Sequence, residues 1–178
     1  MEININEIIL RPLNYEDYES WLKGFNNRRD SQNKFDDGKL DMSICTFEWF
    51  KELVDKHQIM MKDDYQYIYG VFNGRGENLG FFDVVTLERA NFQWCEIGYF
   101  IHNQYWRKGY AYKSLKILLH KLKYELDFHR CEAHVKIDNH ASINLLEKCG
   151  FEFECIRKNF IKEDNLWTDR KIYTKILE

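Results

Sequence analysis

Between Glu96 and Ala111 the chain reads Glu-Ile-Gly-Tyr-Phe-Ile-His-Asn-Gln-Tyr-Trp-Arg-Lys-Gly-Tyr-Ala. An apolar strand candidate breaks at the polar run His102 to Gln104, crosses a basic glycine turn and enters a helix. A helix start gathers unpaired backbone N–H groups and the positive end of the helix dipole, and this geometry binds phosphate oxygens. Arg107 and Lys108 add full positive charges at that point, and Gly109 has no side chain to hold a ligand off the backbone. The plainer alternative is a tight strand-to-helix connection with no ligand.

The elements that must position this turn follow from periodicity. Ala111, Leu115, Leu118, Leu119, Leu122 and Leu126 repeat at helical spacing after the turn. Ahead of it, Ile8 to Leu10 predicts a first strand ending at the only proline, Pro12. Asn14 can cap a helix carrying Tyr15, Tyr18, Trp21, Leu22 and Phe25, and Thr46 a second with Phe47, Phe50, Leu53, Val54 and Met61 facing inward. Between them, Asn26 to Ser43 is a long polar stretch, either a solvated connection or a substrate-side lid. Tyr65–Phe72, Leu79–Leu87 and Phe92–Ile101 predict an antiparallel meander. Past the central helix, Cys131, Ala133 and Val135 alternate with Glu132, His134 and Lys136, which predicts a strand buried on one face. Asn139 or His140 opens a short helix stopped by Gly150, and Phe151–Ile161 and Trp167–Leu177 pair around Glu163-Asp164-Asn165.

Several of these segments together resemble the GNAT superfamily of acyl-CoA N-acyltransferases, and within it the Rim-type, ribosomal-protein N-terminal branch. They are Glu96–Tyr99, Tyr105–Ala111, Asp138–Ser142, Leu146–Phe151, and the closing Trp167-Thr168-Asp169 with Ile172-Tyr173. The last half of the chain carries the resemblance strongly and Arg11-Pro12-Leu13 weakly. It implies a mixed α/β GNAT fold: a mostly antiparallel twisted sheet, splayed into a V at the cofactor cleft between the fourth and fifth strands, with helices on both faces. One domain would span residues 1–178.

Acyl transfer from a thioester to an amine needs a held cofactor, a neutral amine, a stabilised oxyanion and a proton for the leaving thiolate. By the resemblance, acetyl-CoA would set its pyrophosphate on the backbone from Trp106 and Arg107 through Lys108, Gly109 and Tyr110 to Ala111. Its pantetheine arm would lie along Phe100 and Ile101, and Asn139 would contact the cofactor or merely cap its helix. Trp106 stands where the family commonly has Gln or Arg, and Tyr112 and Lys113 replace small and acidic residues. Glu96 matches a glutamate serving as general base, against the alternative of an ion-paired strand residue; Asp169 and Asp83 are weaker candidates. Leu146 occupies the place of a tyrosine acid, and Ser142 matches a serine proposed as proton donor in the Rim-type branch, unless it only hydrogen-bonds its helix. Asn159 replaces a glutamate of some Rim-type enzymes.

Composition narrows the classes. The 178 residues are 44% hydrophobic and 16% aromatic, enough for a real core, and the net charge of −3 gives no basic face for nucleic acid. His129, His134, His140 and Cys131 form no metal-ligand spacing, so no metal is expected. The five scattered cysteines read as free thiols of a reducing cytoplasm, and Cys149 ends a helix, a poor place for a nucleophile. Met1 opens into mixed polar sequence without a signal or membrane span. The expected function is acetyl transfer to a primary amine by direct attack in a ternary complex. A ribosomal-protein-like N-terminus is the first acceptor; a polyamine, amino acid or antibiotic is the alternative. A non-catalytic acyl-CoA-binding regulatory module is the rival class, and a homodimer stays open.

Overall fold

The structure, a computed structural model, describes residues 7–178; the opening six, read above as free of a leader, lie outside the described residues. Seven strands are β1 (Ile8–Arg11), β2 (Gln66–Asn73), β3 (Asn78–Glu88), β4 (Trp94–Ile101), β5 (Arg130–Lys136), β6 (Glu152–Glu163) and β7 (Leu166–Ile176). Four helices are α1 (Tyr18–Asn26), α2 (Phe47–Lys62), α3 (Tyr110–Tyr124) and α4 (His140–Lys148). The strands form one open sheet in the order β1-β2-β3-β4-β5-β7-β6. β1 pairs antiparallel with β2, and β7 with both β5 and β6. β4 and β5 are parallel, which requires the long crossover that α3 supplies. Their register covers only Trp94–Glu96 against Arg130–Glu132, while β4 continues to Ile101. No helix of the described residues is long and apolar enough to cross a membrane.

The chain divides into two compact units. One holds the residues up to Val84 together with Tyr99–Ser114. Its core gathers Leu13, Trp21, Cys45, Phe50, Val54 and Phe72. The expected Asn14 helix begins as one 3-10 turn, where Asp17 accepts from the Asn14 N–H at 2.9 Å and pairs with Arg11 at 2.7 Å. Thr46 caps α2 as expected, its hydroxyl accepting from the Trp49 N–H at 3.2 Å; Phe50 and Val54 are buried, but Phe47 is exposed. The polar stretch after α1 is anchored rather than merely solvated. Arg28 and Asp36 form an ion pair at 2.7 Å with side chains no more than 1% exposed. Asn103, at the end of β4, joins it by donating to Asp36 at 2.9 Å and accepting from the Arg29 N–H at 2.7 Å.

The second unit holds Val85–Gly98 and Leu115–Glu178. Cys131, Ala133 and Val135 are buried, as their alternation requires. The other face of β5 departs from expectation: Glu132 and His134 have side chains only 1% and 5% exposed. Their polarity is met by partners brought from β4 and β6 and by Arg130 of β5 itself.

Candidate functional site

The basic turn ends β4 and starts α3. Arg107 and Gly109 both adopt left-handed backbone, at φ 62° and 77°. Such angles suit glycine and strain an ordinary residue by about 1–2 kcal/mol, so Arg107 spends stability to shape this turn. A Cβ built at Gly109 would meet nothing within 4 Å, and Arg107 and Lys108 are exposed. The helical ladder opens with the Lys113 N–H on the Gly109 carbonyl at 3.1 Å. The N–H groups of Tyr110, Ala111 and Tyr112 therefore precede the first intrahelical bond and point out of the helix end. Open space, positive charge and orphan donors coincide here, so the turn fits the phosphates of acetyl-CoA.

Trp106 faces back onto the strand: its indole N–H donates to the Ile101 carbonyl at 2.6 Å. The Phe100 carbonyl lies instead against Gly80, where an added Cβ would stand 2.0 Å from it. Only a residue without Cβ permits that approach. The Phe100 ring is held between Phe25, stacked at 6.1 Å, and Arg28, whose guanidinium lies 4.4 Å above it. His102, fully buried, sets its Nε2 3.1 Å from Asn78 Oδ1.

Glu96 belongs to a five-membered network in the second unit. His134 Nδ1 lies 2.9 Å from Glu96 Oε1, and its Nε2 lies 3.0 Å from Glu132 Oε2. Arg157 donates to Glu132 at 3.1 Å, Arg130 does so at 3.1 Å, and the Phe160 ring stands edge-on to His134. Burial works against a charged His134, but the Glu96 and Glu132 carboxylates outweigh it and raise its pKa above the ordinary value. Burial likewise pushes Glu132 upward, yet His134, Arg130 and Arg157 hold it below the usual carboxylate range. Glu132, His134 and Arg157 were not singled out as a network from sequence. Only the unbroken Glu-Ala-His alternation on a strand hinted at it, since Glu132 and His134 must share one face.

Asn139 caps α4, its Oδ1 accepting from the Ser142 N–H at 3.2 Å, which joins two candidate residues at one helix start. Asp169 accepts from the Asn159 N–H at 2.8 Å, where Asn159 has φ 48° at an irregularity between Arg157 and Ile161 of β6. Asp83 accepts from Gln66 at 3.3 Å in the first unit. Leu146 is fully buried. No group of three metal-ligating side chains is assembled among the described residues.

Residues 7–152 match the acetyltransferase (GNAT) domain family. A probable N-acetyltransferase of Bacillus subtilis, YjcK, is 28% identical over 93% of this chain and 91% of its own. Mycobacterium smegmatis RimJ, solved with CoA-disulfide, superposes with a TM-score of 0.79 at 17% identity, covering 98% of this chain and 84% of that one. A variant of Vibrio cholerae spermidine N-acetyltransferase gives 0.70 at 20% identity, covering 96% and 94%. At these identities the two structural likenesses are likenesses of fold.

Proposed function

The chain belongs to the GNAT acetyltransferase family and is an acetyl-CoA-dependent N-acetyltransferase; on that premise we propose that its acceptor is the α-amine of a peptide or protein N-terminus, a ribosomal protein being the first candidate. We read residues 1–178 as one catalytic domain acting in the cytoplasm, a compartment that suits its five free thiols.

The observation that carries the acceptor reading is the contact of Glu96 Oε1 with His134 Nδ1 at 2.9 Å. One oxygen of Glu96 is thereby occupied, and the other is left to take a proton through water. A peptide α-amine, half-ionised near pH 8, asks for little base strength; lysine or polyamine amines near pH 10 ask for more. The fold likeness to a ribosomal-protein-S5-alanine acetyltransferase of Vibrio fischeri supports the same reading, and the likeness to a spermidine enzyme keeps the polyamine as its competitor.

Acetyl-CoA supplies the acetyl group as an activated thioester. The Arg107 and Lys108 charges and the N–H groups from Gly109 to Ala111 would hold its phosphates, with Trp106 bracing the turn against Ile101. The arm would run along β4 at Phe100 and Ile101, with Asn139 at the start of α4 contacting it. Glu96 would take a proton from the acceptor ammonium, the freed nitrogen would bond to the thioester carbon, and as the C–S bond breaks Ser142 Oγ would pass a proton to the leaving sulfur. Leu146 has no proton to give, and this favours as second reading an acyl-CoA-binding module without turnover. Thiol release from acetyl-CoA, measured with N-terminal peptides and with spermidine, separates the readings. Peptide-dependent release supports the proposal, spermidine-only release overturns the acceptor, and coenzyme binding without release by any amine favours the module.

A further inference from the structure

Within the first unit α1, α2, β2 and β3 enclose a cavity of about 400 Å³. That is the size of a small-molecule site and exceeds any single packing defect. Its apolar wall includes Leu13, Trp21, Phe25, Leu53, Ile68 and Phe81. Glycine makes part of the room: a Cβ at Gly70 would stand 2.6 Å from the Phe72 ring and 2.8 Å from Leu13. Against this apolar surface stand His57 and the hydrogen-bonded pair of Gln66 and Asp83. His57 Nδ1 is buried with no hydrogen-bond partner among the described residues. Burial, with Lys56 adding to it, pushes His57 down to about 4, so its ring is neutral at pH 7.

Asp83 is thus the one anionic side chain of the lining. A polyamine would bring several cations, of which one finds a carboxylate and the others would lie unpaired on apolar walls. An amine with one cation and an apolar body matches both features: the body replaces water on the aromatic wall, and the cation meets Asp83. The cavity also reaches the strand assigned to the pantetheine arm. Gly80 lines it and lies against the Phe100 carbonyl, and the Phe81 and Phe25 rings of its wall pack on the Phe100 ring at 5.5 and 6.1 Å.

We propose that this cavity selects acceptors whose amine is carried on an apolar or aromatic body, receiving the first side chain of the acceptor peptide while Asp83 and Gln66 hold its amine. This rests on the peptide N-terminal reading given above and narrows it to peptides beginning with a large apolar residue. The neutral His57 ring then offers a hydrogen bond to the acceptor's first peptide group.

The test is thiol release from acetyl-CoA by the full chain with peptides beginning with Phe, Leu, Ala, Asp or Lys, with phenethylamine, and with spermidine. Phe- and Leu-first peptides should exceed Asp- and Lys-first ones and spermidine in kcat/KM by at least about tenfold, the scale of discrimination an apolar pocket achieves. Ile68→Trp, which fills the cavity, should raise KM for the Phe-first peptide about tenfold while coenzyme A affinity stays unchanged, a readout that also reports folding. Asp83→Asn should raise KM for every acceptor. Equal rates for all first residues would overturn the cavity's role while leaving the peptide reading standing. Phenethylamine turnover that Ile68→Trp abolishes, with every peptide inert, would keep the cavity's role and remove the peptide reading. If no amine releases thiol, quenching of Trp21 fluorescence by phenethylamine, absent in Trp21→Phe, still supports the pocket, and no quenching overturns it.

Discussion

His134 Nδ1 and Glu96 Oε1 lie 2.9 Å apart, and the second nitrogen of the same ring lies 3.0 Å from Glu132. The ring meets both carboxylates as a donor only when both nitrogens carry hydrogen, and these carboxylates outweigh Arg157 Nη1, 3.2 Å from Nε2, so folding favours the imidazolium. A raised folded pKa means that this stabilisation is fully present below the ordinary value of about 6.5. It is lost as the pH rises through the folded value. Urea unfolding at pH 6, 7 and 8 should show the wild type weakening toward the alkaline side, and His134→Gln should lack that component. The substitution should itself cost about 1–3 kcal/mol, since Glu96 loses its charged partner while Glu132 keeps Arg130 and Arg157. An identical alkaline trend in both proteins would remove His134 from this role.

Glu96→Gln keeps an oxygen for His134 and deletes the proposed proton acceptor. Thiol release with an N-terminal peptide should fall about a hundredfold, the lower range for a general base, and the acidic limb of its pH profile should disappear. Retention of that limb would move the base to another group, with Asp83 the next to replace.

The relation between Glu96 and His134 also marks where sequence reading stops. Strand positions were legible because turn residues delimit them: Asn73–Gly76 turns with the Gly76 N–H on the Asn73 carbonyl at 2.9 Å, and Asp164 and Asn165 take left-handed angles between β6 and β7. The turn before α3 was legible for the same reason, since a basic pair before glycine at a helix start is a local pattern. The polar face of β5 was not, because its cover comes from Glu96 and Arg157, 38 and 23 residues away from His134 in the chain. Periodicity sees alternation within a strand but not what lies above it. Arg28 was missed likewise: a charged residue in a polar stretch reads as solvated until Asp36 and Phe100 close around it.

That closure makes a prediction for the stretch following α1. Arg28→Ala removes the cation of a buried ion pair and leaves Asp36 only the neutral donors Asn103, Gln32 N–H and Gly38 N–H, at a cost of about 3 kcal/mol. The melting temperature should drop by several degrees, and limited proteolysis should cut between residues 26 and 43 faster than in the wild type. Unchanged cleavage would mean that the stretch is held by other contacts.

At the turn proposed to hold the phosphates, Gly109→Ala and Gly109→Glu separate backbone strain from ligand repulsion. Space does not oppose either side chain, but φ 77° does, by about 1–2 kcal/mol. Alanine should therefore weaken coenzyme A binding about tenfold or less in a calorimetric titration. Glutamate adds a negative charge where phosphate would sit and should reduce affinity beyond detection. Equal affinities for both variants would detach the turn from the cofactor.

His102 predicts how the fold responds to acid. Asn78 donates from Nδ2 to the Gly80 carbonyl at 3.2 Å, so its Oδ1 faces the ring and His102 Nε2 carries the hydrogen. Nδ1 is buried with no partner among the described residues, and burial, together with Arg28, lowers the pKa to about 3. The unfolded chain accepts a proton at its ordinary value of about 6.5. The folded ring accepts one only near 3, so the stability contributed by the neutral ring is whole above 6.5 and falls as the pH drops between those values. The loss is about 1.4 kcal/mol per pH unit for one such histidine, and His57, lowered to about 4, adds a second. His134, protonated in both states below 6.5, contributes nothing to this slope. Urea unfolding of His102→Gln at pH 7, 6 and 5 should show a slope shallower than wild type by about 1.4 kcal/mol per unit, whatever its absolute stability. Parallel slopes would mean that the His102 ring is charged in the folded protein, with a solvent or anion partner at Nδ1.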